Sequence, residues 1–207
     1  MHHFSSSRPF FAHSVIIQTL SPSATTWWSC SPEERSARRE NLVTQLRRRL
    51  QPPPADGDGW GDVLLEVATA LGFSGVALWL PGSDSLLRCK AFAANVVMDL
   101  FEEQTRMIAF ASGVGMPGRT LAHGVPEWIP NVIHDDNFPR LRGAIRDLVR
   151  AVVAFPVRVD GQIVAVVEMF SRTVLQPDPE TSEVLLEIGR AIGRSGGLMR
   201  SSLPLSP

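Results

Sequence analysis

Lysine is almost missing from this 207-residue chain: Lys90 stands alone, and every other cation is arginine. That bias reads first as a coding preference, and it leaves the planar guanidinium as the group available for anion contacts. Two cysteines, Cys30 and Cys89, are too few for a disulfide framework or a four-cysteine zinc site. With Cys30 in a terminal extension and Cys89 in an expected strand, the expectation is a reduced, cytoplasmic protein. The net charge of -1 supplies no field to hold nucleic acid or an anionic membrane. No stretch approaches the ~18 consecutive apolar residues of a spanning helix. Acids are absent from the first 32 residues, and residues 10–20 are mildly apolar after Arg8. His13, Gln18 and Thr19 dilute that block and no small-residue cleavage site follows, so a disordered extension is expected rather than an export signal.

What remains is ordinary for a globular domain: 44% hydrophobic and 20% charged residues. The length suits one domain of about 150 residues with tails. Ser31-Pro32-Glu33-Glu34 reads as a helix start, and Leu42, Val43, Leu46 and Leu50 recur at helical spacing until Pro52-Pro53-Pro54 ends the run. Arg47, Arg48 and Arg49 suit the C-terminal end of that helix and read as a solvated face. Trp60, Val63, Leu64, Val67, Ala68 and Leu71 form a second stripe, with Gly72 as its stop. Residues 74–80 and 85–93 then read as a hairpin around Pro81-Gly82-Ser83-Asp84.

Further on, the pattern predicts a helical segment over 96–109, short helices over 117–122 and 141–150, and a short strand at 127–129. Residues 151–159 and 162–170 are almost continuously apolar strands turned at Asp160-Gly161, which implies cover on both faces. Asp178, Pro179 and Glu180 open a last helix with Val184, Leu185, Ile188, Ala191 and Ile192 as its buried stripe. Without regular β-α-β alternation this is an α+β pattern, not a doubly wound parallel sheet.

Candidate chemistry is sparse. Gly113, Gly115 and Gly118 match the dinucleotide fingerprint in spacing only, with no strand before them and no β-α-β unit around them. The glycines read better as a sharp turn into a helix opened by Pro117, whose free N–H groups beside Arg119 could receive an anionic ligand group. His134-Asp135-Asp136 lies in one loop with no further cluster, so no metal is expected. Glu168 is the exception, a carboxylate in the apolar run 164–170 that must be paired or protonated if buried. Its structural role would be to tie down Arg119, Arg140 or roof backbone N–H groups; its functional role would be to contact a ligand amine or hydroxyl. The structural role is favoured. No Ser-His-Asp or Cys-His order and no facing carboxylate pair supports catalysis.

Met116-Pro117-Gly118-Arg119, Trp128-Ile129-Pro130-Asn131-Val132, Asn137-Phe138-Pro139-Arg140, Phe155-Pro156-Val157 and Glu168-Met169-Phe170-Ser171 follow one another in an order that resembles the GAF domain family, in the form common in bacterial sensor kinases. The resemblance covers roughly residues 60–194. It implies a central antiparallel sheet of strand order 2-1-5-4-3, terminal helices on one face, and loops with short helices roofing the other over a small-molecule pocket. With the readings of composition and spacing above, the expected organisation is 1–35 as disordered extension, 36–51 as N-terminal helix, 57–194 as GAF-like domain and 195–207 as disordered tail. One departure is plain: relatives usually carry glycine before the fourth strand, where this chain has Asp147-Leu148-Val149-Arg150-Ala151.

The function so implied is a sensory or regulatory module in signal transduction. It would bind an unknown small molecule through Arg119, Trp128, Phe138, Arg140, Phe155 and Glu168. The terminal helices would relay the event across a homodimer or to a signalling partner such as a histidine kinase. No output segment is recognisable after Arg194, so the chain is expected to be a stand-alone module or an incomplete relative. No cofactor is expected: covalent bilin attachment needs a pocket cysteine, none occurs after Lys90, and His123 or His134 alone is weak support for haem. Trp128, Phe138 and Phe155 are core aromatics before they are ligand-stacking groups. Two rivals stand beside this reading: a ligand-free dimerisation or scaffolding domain, and a thiol-dependent reductase resting on Cys89.

Overall fold

A computed structural model describes residues 27–55 and 57–198. Its helices are α1 (Pro32–Arg49), α2 (Gly57–Ala70), α3 (Asp99–Met107), α4 (Gly115–His123), α5 (Leu141–Arg146) and α6 (Pro179–Arg194). Its strands are β1 (Gly75–Pro81), β2 (Leu87–Ala94), β3 (Ala109–Phe110), β4 (Glu127–Ile129), β5 (Ala151–Val159) and β6 (Gln162–Ser171). All pairings are antiparallel, in the order β3-β2-β1-β6-β5-β4. This is the expected order with one short strand, β3, added outside β2. Asp160 (φ 49) and Gly161 (φ 82) turn β5 into β6, both in the left-handed region that a tight hairpin needs.

The continuous apolar character of β5 and β6 is used as expected, because side chains alternate between two separate cores. One face carries Phe155, Val157, Ala165, Val167 and Met169, covered by α1, α2 and α6. The other carries Val152, Ala154, Val166 and Phe170 beneath α3, α4, α5 and their loops. Helix α6 comes very close to β5: a methyl added at Gly189 would meet the Pro156 carbonyl oxygen at 2.5 Å.

Several sequence boundaries move. Residues 27–35 are folded: a 3-10 turn (Trp27–Ser29) places Trp27 in the helix-side core, and Ser31 with Glu34 forms a reciprocal capping box on α1. Cys30 is accordingly buried rather than in a loose tail. The expected extension over 1–26 and tail over 199–207 lie outside the described residues; Leu198 is buried. The segment expected to be one helix over 96–109 ends at Met107 and turns into β3. Helix α5 is shorter than the 141–150 expectation because Leu148 adopts φ 63, a left-handed conformation that ends the helix.

Candidate functional site

Under the roof, the sheet presents Glu168 from β6 and Trp79 from β1. In register Ala77 faces Glu168 and Trp79 faces Val166, so Trp79 and Glu168 are diagonal neighbours on one face. The Trp79 indole N–H donates to Glu168 Oε2 at 2.9 Å. Arg140, at the start of α5, descends from the roof and donates from Nη2 to Glu168 Oε1 at 2.5 Å and from Nη1 to Thr105 Oγ1 at 3.0 Å. Both members of the ion pair are closed to solvent, at 1% and 0% exposure.

The Arg140 guanidinium carbon lies 4.8 Å from the ring centre of Phe101, 5.2 Å from Phe138, 5.3 Å from both Trp79 and Phe110, and 5.8 Å from Phe170. Aromatic faces attract a cation at these distances. Burial pushes the Glu168 carboxyl up, while Arg140 and the Trp79 N–H pull against that shift. Arg140 Nε is buried without a partner.

The roof is held by its own polar residues. Asn137 accepts from the Gly115 N–H at 2.9 Å and donates to the Gly113 carbonyl at 3.0 Å, which binds the Asn137–Arg140 corner to the start of α4. Asp147 accepts from the Phe101 N–H at 2.7 Å and so caps α3 from the far end of α5. Gln104 accepts from the Gly143 N–H at 2.8 Å. Arg119 pairs with Asp135 at 2.9 Å, and Asp135 also accepts from the Asn137 N–H. The start of α4 and Arg119 are therefore engaged by the chain's own Asn137 and Asp135. Asp135 organises a turn, and among the described residues no group of three or more metal-type side chains converges.

Of the six residues singled out from sequence, Phe138, Arg140 and Glu168 come together. Arg119 sits at the roof edge with Asp135. Trp128 and Phe155 do not join them. Phe155 projects from the opposite face of β5 into the helix-side core. Trp128 packs on that same core, edge-on to Trp28, and donates to Ser182 at 3.0 Å. A strand's two-residue period decides this: Phe155 is paired with Val167 and Ala154 with Glu168, so Phe155 and Glu168 point in opposite directions. Sequence reading missed Trp79, Phe101, Thr105, Phe110 and Phe170. Only Trp79 left a signal, as a polar-tipped ring in an apolar strand.

The Cys89 thiol donates to the Ala91 carbonyl at 3.2 Å, and burial pushes it up to about 11. Two surface clefts lie away from this pair: one of about 240 Å³ lined by Ser36, Arg39, Glu40 and Glu187, another of about 250 Å³ between Arg47, Leu50, Ala191 and Arg194. No helix among the described residues is long and apolar enough to cross a membrane.

An antiparallel sheet with helices on one face and a roof on the other, closed around a buried ion pair, defines the class. The family model of the GAF domain matches residues 58–195, and the chain belongs to that family. It is 32% identical over 108 residues to the Nif-specific regulatory proteins of Azospirillum lipoferum and Azospirillum brasilense. That match takes in 51% of this chain but only 16% of either relative. Among solved structures, the GAF domain of A. aeolicus nlh2 in an inactive state superposes with a TM-score of 0.61 at 23% identity, covering 79% of this chain and 98% of that one. The free methionine-R-sulfoxide reductase of Neisseria meningitidis, in complex with its substrate, gives 0.61 at 19% identity, covering 84% and 96%. At those identities the likeness is one of fold.

Proposed function

We propose that this chain is a sensory, regulatory module of signal transduction that responds to a small molecule under its roof and relays the response through α1 and α6. The observation that carries this is the buried Arg140–Glu168 pair. A buried ion pair is a poor source of stability, because desolvating two charges offsets most of their attraction. In this reading the seated Arg140 is one of two arrangements of the roof, the other having it withdrawn, which is what a switch needs.

A single sheet layer separates this pair from the terminal helices. Glu168 and Ala154 face the roof, while Val167 and Phe155 face α6. Movement of β5 would be felt at once by α6, because Gly189 leaves no slack against Pro156. Helices α1 and α6 are themselves tied by Arg35 to Asp178 and Glu180, and by Arg39 to Glu183 and Glu187. The output partner would be a second copy or a signalling protein such as a histidine kinase. The regulatory relatives agree with this reading.

The burial of Arg140 among five rings beneath the roof favours a second reading, a dimerisation or scaffolding domain that takes no ligand. Native mass spectrometry separates the two. Sensing predicts a co-purified small molecule whose removal changes the oligomer or the hydrogen exchange of α1 and α6. A ligand-free mass with unchanged exchange on addition of candidate molecules would leave only the scaffold. A thiol-dependent reductase finds no support in Cys89, since a thiol pushed to about 11 is the reverse of an activated nucleophile.

A further inference from the structure

We infer that the roof-side core is a recognition site for a small organic cation, a guanidine or amine, and that Arg140 is the internal group holding its place. This rests on the sensory reading above and names the ligand class for the same site.

Three observations carry it. Five rings from five separate segments surround one cationic carbon: Trp79 from β1, Phe101 from α3, Phe110 from β3, Phe138 from the roof corner and Phe170 from β6. A ring set of this kind selects positive charge, and its faces repel an anion. The carboxylate that completes the cage is fixed independently of its present occupant. Glu168 is held by the Trp79 N–H through Oε2, while Arg140 uses Oε1. Withdrawal of Arg140 would therefore leave an oriented acceptor among aromatic faces, a preorganised cation site.

The third observation is that Arg140 fits imperfectly. Its guanidinium has five N–H donors, yet the side-chain bonds formed are one from Nη1 to Thr105 and one from Nη2 to Glu168, and Nε is buried with no partner. An unmet buried donor destabilises the seated form. A free cation is not tethered to the chain, so it can turn its N–H groups toward the carboxylate and Thr105 without burying one unmet, and so could displace the side chain.

The test uses the whole chain with methylguanidinium as probe and methylurea as its neutral counterpart, at matched ionic strength. In Arg140→Ala, methylguanidinium is expected to raise the unfolding midpoint with the logarithmic concentration dependence of one-site binding, by about 3–6 °C at tenfold excess over half-saturation. Methylurea should not do so, and Arg140→Ala/Glu168→Gln should lose the response. Equal effects of the two probes, or none, on folded Arg140→Ala overturn the inference. Should that variant not fold, the indole N–H resonance of Trp79 in the unaltered protein, assigned with Trp79→Phe, replaces it. A saturable shift with methylguanidinium alone supports the site, and an unmoved resonance overturns it. Capture of an anionic or neutral native ligand would overturn the cation class and leave the sensory reading standing. Cation binding in the cage without any change in α1 and α6 would support the site while removing the sensory reading.

Discussion

The Trp27 indole N–H donates to Thr181 Oγ1 at 2.9 Å, across 154 residues of sequence. Thr181 lies in the first turn of α6, where its backbone N–H and hydroxyl are both bonded to the N-cap Asp178. The segment before α1 is thereby fastened to the start of the last helix. Trp27→Ala removes a fully buried ring, and the expected loss is about 3–5 kcal/mol in urea unfolding. A loss below about 1 kcal/mol would show that the domain does not depend on this segment.

Glu168→Gln leaves the Arg140 charge buried without its counter-charge. The expected cost is about 3–5 kcal/mol. Arg140→Met/Glu168→Gln keeps volume, removes both charges and leaves an acceptor for Trp79. It should recover part of that loss, with a coupling of about 1–3 kcal/mol in the double-mutant cycle. Strict additivity of the two changes would mean the pair is not energetically joined.

Leu148 is 49% exposed and holds φ 63. A branched side chain in the left-handed region costs about 1–2 kcal/mol, and little burial is forfeited by deleting this one. Leu148→Gly should therefore stabilise the protein by about 0.5–1 kcal/mol after the added flexibility of the unfolded chain is counted. Thermal unfolding checks the sign.

Cys89 should resist alkylation at pH 8, because its thiol is raised from the ordinary 9.0 to about 11. The folded chain keeps this proton in the window where the unfolded chain releases it. The contribution to stability is thus fully present below about pH 9 and is lost as pH rises through about 11. Cys89→Ser should flatten that part of the pH profile in equilibrium unfolding. Rapid alkylation of the native protein at pH 8 would contradict the burial of the thiol.

Local pattern carried most of the architecture. The capping signals at Ser31 and Asp178, the stripes on α1, α2 and α6, and the Asp160-Gly161 turn are each written within a few residues, and each formed where its chemistry required. The two apolar strands likewise announced a sheet covered on both sides. Glu168 stood out because a carboxylate inside such a strand needs a partner. The helix expected over 141–150 failed for a local reason too, since nothing in Leu148 itself advertises a left-handed backbone.

Only the tertiary structure decided what closes over Glu168. Arg140, Thr105, Trp79 and the remaining rings come from separate elements, and no periodicity links their positions. Whether Phe155 or Phe138 faces the carboxylate depends on strand register, which is set by pairing with β4 and β6 and not by the residues themselves. The sequence alone therefore determined the elements and the family to which they belong, because those follow from short-range propensity and motif order. That the space beneath the roof holds an arginine among five rings is a consequence of long-range packing, which fixes which side chains share one volume.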